Sequence, residues 1–145
     1  QYGMTVVTRP QDADVAIVRV SAAFQTLHPN YVFGAMQHEG SLAWEDGHPD
    51  YEAIKNISSV VPTIVSVYMD RPAILTNVVD KAKAVVANFG VSDQALFDVL
   101  TGVAKPQGKL PFELPSSMAE VIAQRSDVAN DTAHPLFALG FGMRY

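Results

Sequence analysis

"TIVSVYM", Thr63 to Met69, is the stretch whose reading decides the fold. Isoleucine, valine, tyrosine and methionine occupy both of its faces over most of its length. A strand with one wet face alternates apolar and polar residues. A run that is apolar on both faces suits a parallel strand covered by helices on each side. Outward from it, "VAIVRVSA" (Val15 to Ala22) has the same character, and "MTVV" (Met4 to Val7) and "AKAVVANF" (Ala82 to Phe89) are also apolar and valine-rich. All four read as strands.

The segments between them read as helices. "DYEAIKNISSV" offers Asp50 as N-cap and places Tyr51, Ile54 and Ile57 on one face. "RPAILTNVV" follows the central strand, with Pro72 in a tolerated first-turn position. "SDQALFDVLTG" starts at Ser92 as N-cap, carries Leu96, Val99 and Leu100 as its apolar stripe, and stops at Gly102. Strands alternating with helices predict an α/β fold: an open, mostly parallel sheet flanked by helices, a layered α/β sandwich. An extended C-terminal tail follows, built on "GKLPFELP" (Gly108 to Pro115) and "HPLFALGFGMRY" (His134 to Tyr145). Prolines fix the path of these ribbons, and their Phe and Tyr residues need apolar cover, from this domain's own core or from a neighbouring domain.

A chain of 145 residues is the size of one domain, and 48% apolar residues can fill its core. Fifteen acids against ten bases, with no basic stripe, argue against nucleic acid or an anionic membrane as partner. There is no cysteine, hence no disulfide and no thiolate chemistry. No apolar run reaches the roughly 18 residues a membrane span needs. The start at Gln1 lacks the basic and apolar segments of a signal peptide and reads as the edge of a processed or excised piece.

Ligands of open parallel sheets bind beyond the carboxyl ends of the strands. The long connection over residues 23–50 lies there and holds the densest reactive chemistry, "FGAMQHEGSLAWEDGHPDY". It contains His38, Glu39, Trp44, Glu45, Asp46, His48 and Asp50. A carboxylic acid beside an aromatic platform is what sugar chemistry uses: the ring stacks on a pyranose and the acid protonates the leaving oxygen. A solvated acidic loop anchored by one Trp has the same composition. His38, Glu39, His48 and Asp50 match no compact metal-ligand spacing. No Gly-x-Ser-x-Gly elbow and no Gly-x-Gly-x-x-Gly turn occur. Asp70 and Arg71, at the end of the central strand, read as a local ion pair or as ligand contacts.

"ANFGVSDQALFDVLTGVAKPQGKLPFELP" resembles the signature segment of the C-terminal α/β domain of glycoside hydrolase family 3, the family of β-glucosidases and related β-xylosidases. "DADVAIVRV", "VYMDRPAIL" and the ending "HPLFALGFGMRY" resemble further segments of that domain, in family order over nearly the whole chain. The resemblance implies one domain over residues 1–145, truncated at its N-terminal side. Its partner would be a (β/α)₈ barrel that carries a carboxylate nucleophile. It implies a retaining β-glycosidase acting on a β-linked glucoside or related saccharide, with no cofactor and no metal. Such chemistry needs two carboxyl groups about 5–5.5 Å apart, so the fragment alone is expected to be inactive. On this chain Glu39 is the implied acid/base, with Glu45 as the competing acid, and Trp44, His38 and Arg71 are implied sugar contacts. A noncatalytic carbohydrate-binding or structural module on the same fold is the alternative, and an independent flavodoxin-like binding domain is a third. The resemblance favours a periplasmic or secreted setting. Self-association through an uncovered apolar face or sheet edge is a further expectation.

Overall fold

The computed structural model describes residues 2–143. Arg144 and Tyr145, the end of the second ribbon, lie outside the described residues, as does Gln1. Three parallel strands make the sheet: β1 (Ala16–Ser21), β2 (Thr63–Tyr68) and β3 (Ala84–Asn88), in the order β1-β2-β3. Ala16 pairs with Thr63 and Ile64 with Ala84, so β2 is hydrogen-bonded on both edges. Val65 and Val67, on one of its faces, are fully buried; on the other, Ser66 is buried, Ile64 half-buried and Tyr68 exposed. Helix α1 (Pro49–Ser58) crosses from β1 to β2, and α2 (Thr76–Val79) lies between β2 and β3. Helix α3 (Asp93–Leu100) follows β3. The core joins Val20, Trp44, Tyr51, Ile54, Leu75, Val78 and the two β2 valines.

Several local expectations are met. The Ser92 side chain caps α3 by accepting from the Ala95 amide at 3.3 Å, and Gly102 ends that turn at φ +76°. Positive φ is where glycine carries no steric penalty. Others are corrected. Met4–Val7 is not a strand: no strand lies beside it, and Val6 is 96% exposed. The segment is tied down by Tyr2 instead, whose ring stacks on Phe97 at 5.6 Å and whose hydroxyl donates to Asp98 at 2.8 Å. Asp50 is not the cap of α1. Pro49 suits a first helical turn, so the helix begins earlier, from His48, and Asp50 sits inside its first turn. Helix α2 is also shorter than "RPAILTNVV", because Ile74 pairs with Ala43 of the long loop and its amide donates to Leu42 O at 3.0 Å.

The two ribbons cover their own domain, and they do so by pairing with each other. In β4 (Leu114–Pro115) and β5 (Pro135–Phe137), Leu114 pairs with Phe137 in antiparallel register. Leu110 donates to Phe141 O at 2.8 Å and accepts from Gly140 N at 2.9 Å. Leu110 and Leu114 are buried in the core. The polar stretch between the ribbons contains helix α4 (Met118–Ala123), capped by the Ser117 side chain on the Glu120 amide at 3.2 Å. A cavity of about 310 Å³ remains between β3, α3 and the tail, lined by Val85, Ala87, Leu96, Leu110, Phe137 and Phe141 among others. It is mostly apolar, and none of its lining residues belongs to the loop over residues 23–50.

Candidate functional site

The long loop leaves β1 with Ala22 still paired to β2, its amide donating to Tyr68 O at 2.8 Å. It then folds back on itself. Gln25 and Glu39 form a two-way antiparallel bridge, each amide donating to the other's carbonyl at 2.9 Å. The bridge closes a lobe over residues 26–38, with a 3-10 turn at Gly34–Met36. Gly40, at φ +71°, is forced at this point: a Cβ there would stand 2.0 Å from the Gln25 side chain. The tip of the lobe is apolar and open. Tyr31, Val32, Phe33 and Met36 are 64–81% exposed, a concentration that marks interaction surfaces in folded proteins.

Glu39 is held hard in this lobe. Its Oε2 accepts from the Leu27 amide at 2.9 Å and the His28 amide at 3.0 Å, and its Oε1 meets His28 Nδ1 at 2.7 Å. The His28 side-chain bond is the main reason its pKa lies below the usual carboxylate value; partial burial opposes this, and the two amides reinforce it. A general acid needs the opposite shift. As placed, the carboxylate ties Leu27 and His28 to the base of the lobe. His28, which sequence reading passed over, stacks on Tyr31 at 4.6 Å.

His38 stacks almost flat on Phe24, with ring centroids 3.7 Å apart and planes 8° apart, and its Nδ1 is paired with the Asp70 carboxylate. Arg71 makes no ion pair with Asp70, which corrects the local pairing expected of them. Its Nη1 and Nη2 donate to Glu39 O at 2.6 Å and Gly40 O at 3.0 Å. Adjacent residues at a strand end diverge, so the two side chains reach separate partners. Trp44 is 2% exposed and packs in the core. As folded it offers no open face to a sugar. It anchors the loop, aided by Asn77, whose Nδ2 donates to Trp44 O at 2.7 Å. Glu45 is exposed, and Asp46 is engaged by Lys55 at 2.7 Å. Among the described residues, no group of His, Asp and Glu is placed to hold a metal ion.

Beyond the carboxyl ends of β1 and β2 the structure therefore pairs His38 with Asp70 and Arg71 with the Glu39 and Gly40 carbonyls, while Trp44 is buried in the core. A three-stranded parallel sheet flanked by helices, with charged residues on the loop at its strand ends, defines an α/β domain. The chain belongs to glycosyl hydrolase family 3: residues 3–145 match that family's C-terminal domain. It is 53% identical over 143 residues to the periplasmic β-glucosidase/β-xylosidase of Dickeya chrysanthemi, covering 99% of this chain and 22% of that one. It is 44% identical over 144 residues to the probable β-glucosidase C of Aspergillus flavus, again covering 99% and 22%. The fold is similar to that of a Listeria innocua β-glucosidase solved with isofagomine, with TM-score 0.63 and 14% identity over 93% of this chain and 21% of that one. The chain thus spans about a fifth of the length of these relatives. No helix among the described residues is long and apolar enough to cross a membrane.

Proposed function

We propose that this chain is the single α/β-domain share, over residues 1–145, of a retaining β-glucosidase-type hydrolase, and that its loop over residues 23–50 forms the part of the sugar site this domain supplies. The substrate is a β-linked glucoside or related saccharide. The nucleophile is a carboxylate of a separate catalytic domain. The placement of the His38–Asp70 pair, and of Arg71 on the Glu39 and Gly40 carbonyls, beyond the carboxyl ends of two parallel strands carries this reading. The names of the relatives support the reaction class, and that of the Dickeya protein supports a periplasmic setting. The isolated chain, lacking the nucleophile, should not turn over an aryl β-glucoside. Sustained hydrolysis abolished by a substitution within it would contradict this.

Glu39 is the acid/base of this reading. To give up a proton it must first let go of His28 and the two lobe amides, which a bound sugar or a docked catalytic domain would have to bring about. A second reading has a specific observation behind it: Glu39 is a clamp that shapes the lobe, because Glu120, on α4 between the two ribbons, makes the same three bonds. Glu39→Gln in the full-length protein separates the two. As the acid/base, it loses about a hundredfold or more on glucosides with poor leaving groups and spares activated aryl glucosides. As a clamp, it loses equally on both.

A further inference from the structure

We infer that Asp70 and Arg71 act together as the positioning pair for the residue 38–40 segment, Asp70 through the His38 ring and Arg71 through the Glu39 and Gly40 carbonyls. The inference rests on the reading that this loop forms part of the sugar site. It gives Arg71 a different task from direct sugar contact.

The argument starts from β2. This strand is paired on both edges, and Met69, just past its end, is buried and still bonded to β3 through Asn88 O at 2.8 Å. Asp70 and Arg71 therefore leave a rigid platform. The segment they grip is otherwise tied to the lobe it closes, through the Glu39 carboxylate on Leu27 and His28. Its one backbone bridge is to Gln25, at the base of the lobe, and Gly40 is in a left-handed conformation. Arg71 is suited to the task because its planar guanidinium offers two parallel donors, and both go to successive carbonyls. Lysine would offer a point charge without the fork. Asp70 occupies Nδ1 of His38 while Phe24 fixes the ring plane from one side. That choice leaves Nε2 as the nitrogen presented to a ligand, just as a carboxylate partner orients histidines elsewhere. The His38 ring and the Glu39 and Gly40 carbonyls are thus set from the end of one strand, while the Glu39 carboxylate is held by the lobe.

The test uses the full-length protein that carries this chain, with Arg71→Met, Arg71→Lys, Asp70→Asn, His38→Gln and the Asp70→Asn/His38→Gln double variant. Two quantities are read: kcat/KM on an aryl β-glucoside and its monodeoxy analogues, and the rate of thermolysin cleavage within residues 24–40. Arg71→Met should lower kcat/KM about tenfold or more, by the same factor on every deoxy sugar, and speed loop cleavage about tenfold. Arg71→Lys should recover part of both. The double variant should lose no more than His38→Gln alone, since Asp70 acts through that ring. A loss in Arg71→Met that vanishes on one deoxy sugar makes Arg71 a sugar contact and overturns the inference, as would additive losses at Asp70 and His38 or unchanged loop cleavage. If loop cleavage responds as stated but the wild-type protein hydrolyses no β-glucoside, the positioning pair stands and the proposed function is what fails.

Discussion

Two carboxylates in this molecule make the same set of bonds in different settings. Glu39 accepts the amides of Leu27 and His28 on one oxygen and meets His28 Nδ1 with the other. Glu120, on α4, accepts the amides of Ala133 and His134 at 3.1 and 3.3 Å and meets His134 Nδ1 at 3.0 Å. Each histidine precedes a proline, Pro29 and Pro135. A residue before proline is biased to extended backbone, which suits it to present its amide to an outside acceptor. The Glu120 clamp holds the tail at the start of β5, from a helix whose Met118 Sδ also accepts from the Leu42 amide at 3.4 Å. The Glu39 clamp holds a lobe with an exposed aromatic tip, beside His38 and the Arg71 grip. The bonds alone therefore do not mark a catalytic carboxylate. What sets Glu39 apart is its position beyond the ends of β1 and β2.

The largest difference between the two regions should come from what lies beneath them. The loop rests on Trp44, a buried core side chain, whereas the Glu120 clamp rests on a short helix with no buried residue. Trp44→Ala should cost about 3–5 kcal/mol in urea unfolding of the full-length protein. It should also free the lobe to protease while leaving cleavage near His134 unchanged. A loss under about 1 kcal/mol would mean that the loop does not depend on the core.

Acid should weaken both clamps, and in the same direction. The pKa of each glutamate is lowered in the folded protein, chiefly by the side-chain bond to its histidine. A depressed carboxylate contributes stability that is fully present above its unfolded value, about 4.3, and is lost as pH falls through the folded one. Melting temperature should therefore fall with acidification below about pH 5, and less steeply in Glu39→Gln and in Glu120→Gln, each of which removes one titrating group. An unchanged slope in both variants would show that neither clamp survives in solution.

The strands and α3 were legible because they depend on local pattern. "TIVSVYM" is the central strand, with Val65, Ser66, Val67 and Met69 buried and Tyr68 exposed, and Ser92 and Gly102 bracket α3 as capping chemistry predicts. Met4–Val7 failed because a strand needs a neighbour as well as valines. The loop was legible as a place and not as a geometry. The Gln25–Glu39 bridge joins polar residues 14 positions apart with no periodicity to announce it, and Arg71 reaches it from 32 positions away. Trp44 looked like a surface platform because its neighbours Glu45 and Asp46 are acidic, yet its ring points inward. One signal for His28 was present: the His-Pro dipeptide occurs at residues 28, 48 and 134. Two of the three are clamped by a glutamate, and the third opens α1.

The most direct test of the account sets the two glutamates side by side. Glu39→Gln and Glu120→Gln are made in the full-length protein, and turnover of a β-glucoside with a poor leaving group is measured at a temperature where both remain folded. The account predicts that Glu39→Gln loses at least about tenfold, as a group at the reacting site or shaping it would, while Glu120→Gln stays within about twofold of the wild type. Equal losses in the two, or none in either, would contradict the claim that the loop beyond β1 and β2 is this domain's share of the active site.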